Sequence, residues 1–196
     1  MFISIGINCD IATILRDKKL RTVSLPFDWI LTYNGIDEII ENDFQDFLTP
    51  EGKKKYNIDF PHFTFPQDYG KLLERVNRLK DILNNTNNTN NTKETIYFLR
   101  AGHEIHHCNH AKCDIKQTEI LVDVLKKHFP QLKFKIVVFL ACGNCYIPKQ
   151  EYQTTKEEVR FINISTGKAL DMREKFKIVT KEILILNKEK STSKAN

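Results

Sequence analysis

The sequence predicts an α/β domain with a mostly parallel sheet of about five strands and helices on both faces. Two observations carry this. Short apolar runs recur at 2–7, 95–100, 134–141 and 159–164, the pattern of strands buried on both sides. Segments with helical periodicity alternate with them, which favours parallel pairing through crossovers.

The first run, Phe2 to Ile7, reads as a buried strand. Asn8 is placed to cap a helix from Cys9 to Lys18, whose apolar face is Ile11, Ile14 and Leu15. Asp10 and Lys18-Lys19 match the two ends of its dipole. Val23 to Trp29 is expected to be extended, because Pro26 disfavours helix at Leu25. Phe27 and Trp29 are expected as core anchors. A helix over 35–42 follows, then a basic surface loop over 51–56 and a strand over 58–65.

Tyr69 to Leu83 reads as an amphipathic helix with Leu72, Leu73, Val76, Leu79 and Leu83 inward. The three Asn-Asn-Thr copies of 84–92 cannot bury themselves and read as a disordered insertion at 84–93. Beyond it the pattern gives a strand over 95–100, a His/Cys-rich loop, a helix over 115–128 ending on His128 as a charge partner, a strand over 134–141, a strand over 159–164 and a helix over 171–184. Residues 1–187 then form one domain, with a disordered tail at 188–196.

The net charge of +5 gathers at Lys53-Lys54-Lys55 and in the Lys-rich tail. It forms no basic stripe with interleaved aromatics, so nucleic acid is not expected as a partner. No apolar run approaches the roughly 18–20 residues that span a bilayer, and the N-terminus lacks a basic n-region. The expectation is a cytoplasmic protein with no membrane partner. Five cysteines, an odd number, argue against a disulfide framework. The oligomeric state is left open.

Three constellations bear on chemistry. Cys9 follows a strand at a helix N-terminus, where backbone N–H groups and the dipole favour thiolate. The same N–H groups can hold an oxyanion. His62, the first histidine in the chain, is a candidate base, and Asp28 a candidate to orient it. The opposing reading makes Cys9 a small buried hydrophobe.

His103-Glu104-Ile105-His106-His107 contains the spelling of a zinc peptidase motif, but that motif needs a helix and a third ligand. Cys108, Cys113, Cys142 and Cys145 form the third constellation, a possible four-thiolate zinc site with His106, His107 or His110 as substitutes. Cys142-Gly143-Asn144-Cys145 suits a metal knuckle, whereas Pro148 argues against a helix of thioredoxin type. No cofactor is required by the sequence; zinc is the one it could accommodate.

Ser4-Ile5-Gly6-Ile7-Asn8-Cys9, Leu20-Arg21 and Ser24-Leu25-Pro26-Phe27-Asp28-Trp29 resemble the N-terminal signature of a bacterial and viral family labelled papain-like cysteine peptidases, of unknown function. His62 in Phe60-Pro61-His62, Arg75 with Arg78, and Ile96 to Arg100 resemble its later landmarks. The resemblance covers roughly residues 2–100. It implies a Cys9–His62 pair, and a papain-like α+β fold as the alternative architecture. It also implies a role for Arg75 or Arg78 in pairing with Asp28 or a substrate carboxylate or phosphate; otherwise the two form a solvated helix face.

The leading expectation is a cysteine-dependent hydrolase. Cys9 is the nucleophile, His62 the base, Asp28 its orienting group, and Asn8, Arg75 and Arg78 contact a peptide or other acyl substrate. The alternatives are a zinc-stabilised interaction domain without catalysis, and a glycan- or nucleotide-binding α/β domain.

Overall fold

The computed structural model describes residues 1–32, 35–85, 94–102, 108–140, 152–164 and 171–192, with side chains left out at 85 and 108–113. The elements run β1 (Phe2–Ser4), α1 (Asp10–Asp17), β2 (Leu31–Thr32), α2 (Ile36–Glu41), α3 (Pro50–Lys55) and β3 (Ile58–Asp59). They continue with α4 (Tyr69–Asn85), β4 (Ile96–Ala101), α5 (Cys108–His128), β5 (Phe134–Leu140), β6 (Val159–Asn163) and α6 (Met172–Thr192).

Four strands form one parallel sheet in the order β1-β4-β5-β6, and β2 and β3 form a separate antiparallel pair. The α/β class with a mostly parallel sheet is as the apolar runs predict, and four parallel strands lie among the described residues. Alternate residues of each strand go to opposite faces. Ile96, Phe98, Phe134, Ile136 and Val138 join one core with Leu72, Val76, Leu79 and Leu125 of α4 and α5. Leu99, Val137 and Phe139 join a second core with Ile11, Ile14 and Leu15 of α1 and Val179, Ile183 and Leu186 of α6. Helices thus cover both faces of the sheet.

Because the strands are parallel, their C-terminal ends at Ser4, Ala101, Leu140 and Asn163 share one edge. Cys9 follows the first of these ends. The segments 103–107, 141–151 and 165–170 follow the others and lie outside the described residues.

Several local expectations are corrected between residues 23 and 73. Residues 26–29 form a turn, not an extended segment. Pro26 restricts the residue before it but suits the second position of a turn, and the Asp28 amide closes onto the Leu25 carbonyl at 3.3 Å. The basic segment expected as a loop is helix α3. Thr49 caps it by accepting from the Gly52 amide at 3.0 Å, with Pro50 at its start. Only Asp59 and Ile58 of the expected strand over 58–65 pair with β2; Phe60 and Phe65 join a ring cluster with Phe47. Leu73, expected inward, is 41% exposed.

Helix α5 begins at Cys108, so the stretch 108–113 is helical backbone where a loop was expected. Helix α6 continues past Leu184 to Thr192, and Lys190 pairs with Glu94 at 2.6 Å. His128 meets Glu41 at 3.2 Å, as its place at the end of α5 suggested. The Asn-Asn-Thr repeats from 86 onward lie outside the described residues.

Candidate functional site

The turn from β1 into α1 is built around two successive left-handed residues, Gly6 at φ +81° and Ile7 at φ +55°. A β-branched residue rarely adopts that conformation, so the surroundings must hold it. Thr32 accepts the Ile7 amide on its Oγ1 at 3.2 Å, and its own amide donates to the Ile7 carbonyl at 3.3 Å. Arg100, at the end of β4, donates from Nη1 to the carbonyls of Ile5 at 3.1 Å and Thr32 at 3.3 Å. Its Nε pairs with Asp114 of α5 at 3.1 Å, and both partners are buried. One guanidinium therefore ties the residue after β1 to β2, β4 and α5 beneath the turn.

Cys9 comes out of this turn as the N-cap of α1, half-buried and unpaired. No side chain caps the first-turn amides through Cys9. Asn8 instead clamps Asp10: its Oδ1 accepts from the Asp10 amide at 3.1 Å and its Nδ2 donates to Asp10 Oδ2 at 2.9 Å. The helix starts one residue later than expected, so Cys9 and not Asn8 is its N-cap, and Asn8 bonds the first helical amide from the position before it. Asp10 Oδ2 also lies 3.6 Å from Nζ of the buried Lys175.

Asp28 is 1% exposed and accepts on Oδ2 from Arg21 Nη1 at 3.0 Å and from the Leu25 amide at 2.9 Å. Burial pushes its carboxyl above the usual aspartate range, against the pull of the Leu25 amide and the Arg21 charge. Its bonds go to Arg21 and Leu25, not to His62. His62 is exposed and sets its ring edge-on to Trp29, with centroids 6.0 Å apart. The guanidiniums of Arg16 and Arg21 also stand over Trp29, at 5.4 and 5.3 Å. Trp29 is therefore a half-buried platform for two cations and a histidine, where a core anchor was expected; Phe27 is the core anchor.

No hydrogen bond joins Cys9 to His62 among the described residues. Arg16, which shares Trp29 with His62, lies seven residues beyond Cys9 on α1, about 10 Å along the helix axis. The arrangement brings together Asp28, Arg21, Trp29 and His62, and beside them the arginines of α4.

Arg78 donates from Nη1 to the Ser24 carbonyl at 2.7 Å, and Arg75 is buried with its guanidinium 5.2 Å from the Phe63 ring. Neither is a solvated face. Burial lowers the Arg75 pKa from its ordinary value, while the Asp28 charge works to raise it and the Arg21 and Arg78 charges add to the lowering.

Of the four thiols expected at a zinc site, Cys108 and Cys113 lie on the first two turns of α5, with side chains outside the description; Cys142 and Cys145 lie outside the described residues, as does His103 to His107. Among the described residues no cluster of three His, Cys, Asp or Glu side chains could hold a metal ion. No described helix is long and apolar enough to cross a membrane.

Sequence reasoning missed Arg21 as the partner of Asp28, although Leu20-Arg21 stands in the signature. It also missed Arg100 and Thr32 as the supports of the Cys9 turn. A charge ending an otherwise apolar strand was the available signal for Arg100.

No curated protein and no solved structure matches this chain significantly. Residues 1–64, which hold the β1–α1 turn, Cys9, Arg21, Asp28, Trp29 and His62, match the model of a family described as "Putative papain-like cysteine peptidase (DUF1796)".

Proposed function

We propose that this chain is a cysteine-dependent hydrolase with Cys9 as its nucleophile. The observation that carries the reading is the placement of a half-buried, unpaired thiol at the N-cap of α1. It stands directly after a supported left-handed turn, at the edge where the C-terminal ends of the parallel strands meet. Ligands of open parallel sheets bind beyond that edge. First-turn amides of α1 supply donors and positive potential for both a thiolate and a developing oxyanion.

In this reading Cys9 Sγ attacks an acyl carbon and the leaving group departs with a proton, leaving a thioester. Water then cleaves the thioester and restores the thiol. His62 is the proposed base because Cys9 and His62 are the one thiol and the one imidazole within residues 1–64. Its ring is exposed and hydrogen-bonds to no described residue, so it can turn toward a bound substrate. Asp28 acts at one remove: with Arg21 it holds the segment that carries Trp29, against which His62 packs.

The test is acylation by an activated ester such as p-nitrophenyl acetate. A burst of nitrophenol with an acetyl group on the Cys9 peptide by mass spectrometry is expected, absent in Cys9→Ser and slowed in His62→Gln. A burst of equal size in Cys9→Ser would overturn the nucleophile, and an unchanged burst rate in His62→Gln would remove the base.

A further inference from the structure

Arg75 stands out in α4. The helix turns Leu72, Val76, Leu79 and Leu83 into the core, and Arg75, next to Val76, goes with them to 9% exposure. Its Nη1 is closed off from solvent without a hydrogen-bond partner. Arginine is among the residue types least often buried, and when buried it is normally paired.

The charges around it do not supply that pair. Asp28 is already bonded to Arg21 and to the Leu25 amide. Asp68 is paired with Lys71 at 3.5 Å and accepts the Thr64 amide. Arg78 is turned onto the Ser24 carbonyl, a neutral acceptor. Three guanidiniums, Arg21, Arg75 and Arg78, thus act on one another, and the two carboxylates that act on Arg75, those of Asp28 and Asp68, each have another cation. The face of Phe63 offers Arg75 a cation–π contact, which is weaker than a charge-assisted hydrogen bond to an anion.

We propose that Arg75, with Arg78 and Arg21, forms a binding site for the phosphate group of a phosphorylated ligand. Arg21, Arg75, Arg78 and Lys71 against the carboxylates of Asp28 and Asp68 leave two positive charges in excess, room for the two negative charges that a phosphate monoester carries and a carboxylate does not. A guanidinium fork also matches the geometry of phosphate oxygens. That this phosphate belongs to the substrate rests on the hydrolase reading; the binding itself does not need Cys9.

Trp29 is the one tryptophan of the chain, and Arg21 lies against its ring, so intrinsic fluorescence reports on the site. The full chain is titrated with inorganic phosphate, and with acetate at matched ionic strength. A saturable fluorescence change in the millimolar range or tighter, with phosphate and not with acetate, is expected. Arg75→Met is expected to weaken phosphate binding about tenfold or more.

Without phosphate, the melting temperature of Arg75→Met should equal or exceed that of the wild type, because a buried unpaired charge is removed. A purely structural Arg75 would lower it. Where Arg75→Met fails to fold, Arg75→Lys decides: it keeps the charge, loses the fork, and should weaken phosphate binding.

No saturable response to phosphate, equal binding in the variants, or acetate binding as tightly as phosphate would each overturn the proposal. Cys9→Ser should bind phosphate like the wild type while losing the ester burst, so the two readings fail separately.

Discussion

An ideal Cβ built on Gly6 would lie 1.6 Å from Thr32 Oγ1, the same oxygen that receives the Ile7 amide at 3.2 Å. The close approach of the β1–α1 turn to β2 is therefore possible only for glycine, and the hydroxyl that exploits it fixes the turn leading to Cys9. The left-handed φ of +81° adds a second reason for glycine at this position.

Gly6→Ala is accordingly expected to destabilise the fold by about 2–3 kcal/mol, since both the clash and the backbone strain must be relieved. Thr32→Val keeps the shape and removes the acceptor, leaving the Ile7 amide without its bond, at a cost of about 1–3 kcal/mol. Urea denaturation checks both. Alkylation of Cys9 by iodoacetamide should lose its dependence on native structure first in Gly6→Ala. A glycine variant as stable as the wild type would mean that Thr32 moves aside freely.

The buried pair of Arg100 and Asp114 gives a second expectation. Removing one member of a buried ion pair costs about 3–5 kcal/mol because the other charge is stranded. Asp114→Ala should therefore be among the most destabilising single changes in the chain, since Arg100 also ties the Ile5 and Thr32 carbonyls. The paired replacement Arg100→Met with Asp114→Leu removes both charges and should recover part of the loss in denaturant midpoint. A double variant worse than the sum of the two single ones would show that the carbonyl contacts outweigh the ion pair.

The parallel sheet was legible because its strands are buried on both faces, and an apolar run such as Phe134 to Leu140 needs no partner to be recognised. The start of α1 was legible to within one residue because Asn8 and Asp10 are local signals. The region from 21 to 65 was not, because tertiary contacts set its structure. Helix α3 buries Gly52, where a Cβ would meet the Asp46 carbonyl at 1.7 Å, and has no apolar stripe to announce it. Arg75 read as a solvent residue by type. Its burial follows from the 21–28 segment folding across α4, and nothing within α4 shows it.

Asp28 yields a pH dependence with a definite sign. Burial holds its carboxyl above the ordinary 3.8, so the native chain keeps this proton to higher pH than the unfolded chain does. The stability contribution of Asp28 is then largest below 3.8 and declines as pH rises through the native value. Asp28→Asn cannot titrate. The melting temperature of the wild type minus that of Asp28→Asn should fall as the pH rises above about 4. A difference that grows over this range would show that Arg21 and the Leu25 amide outweigh desolvation.

Lys175 gives the last expectation, and it concerns the reactivity of the thiol. Its Nζ lies 3.6 Å from Asp10 Oδ2 and the side chain is almost fully buried. Asp10 follows Cys9 directly, so its carboxylate opposes a thiolate there, and Lys175 offsets that opposition. Lys175→Met leaves the Asp10 charge uncompensated and should slow iodoacetamide alkylation of Cys9 about two- to fivefold near neutral pH. Asp10→Asn removes the opposing charge and should speed it. A general loosening of the fold would speed alkylation in both variants, so opposite changes distinguish electrostatics from unfolding. Equal rates in wild type and both variants would place the thiol beyond the reach of this pair, and the positive end of α1 would then act on Cys9 alone.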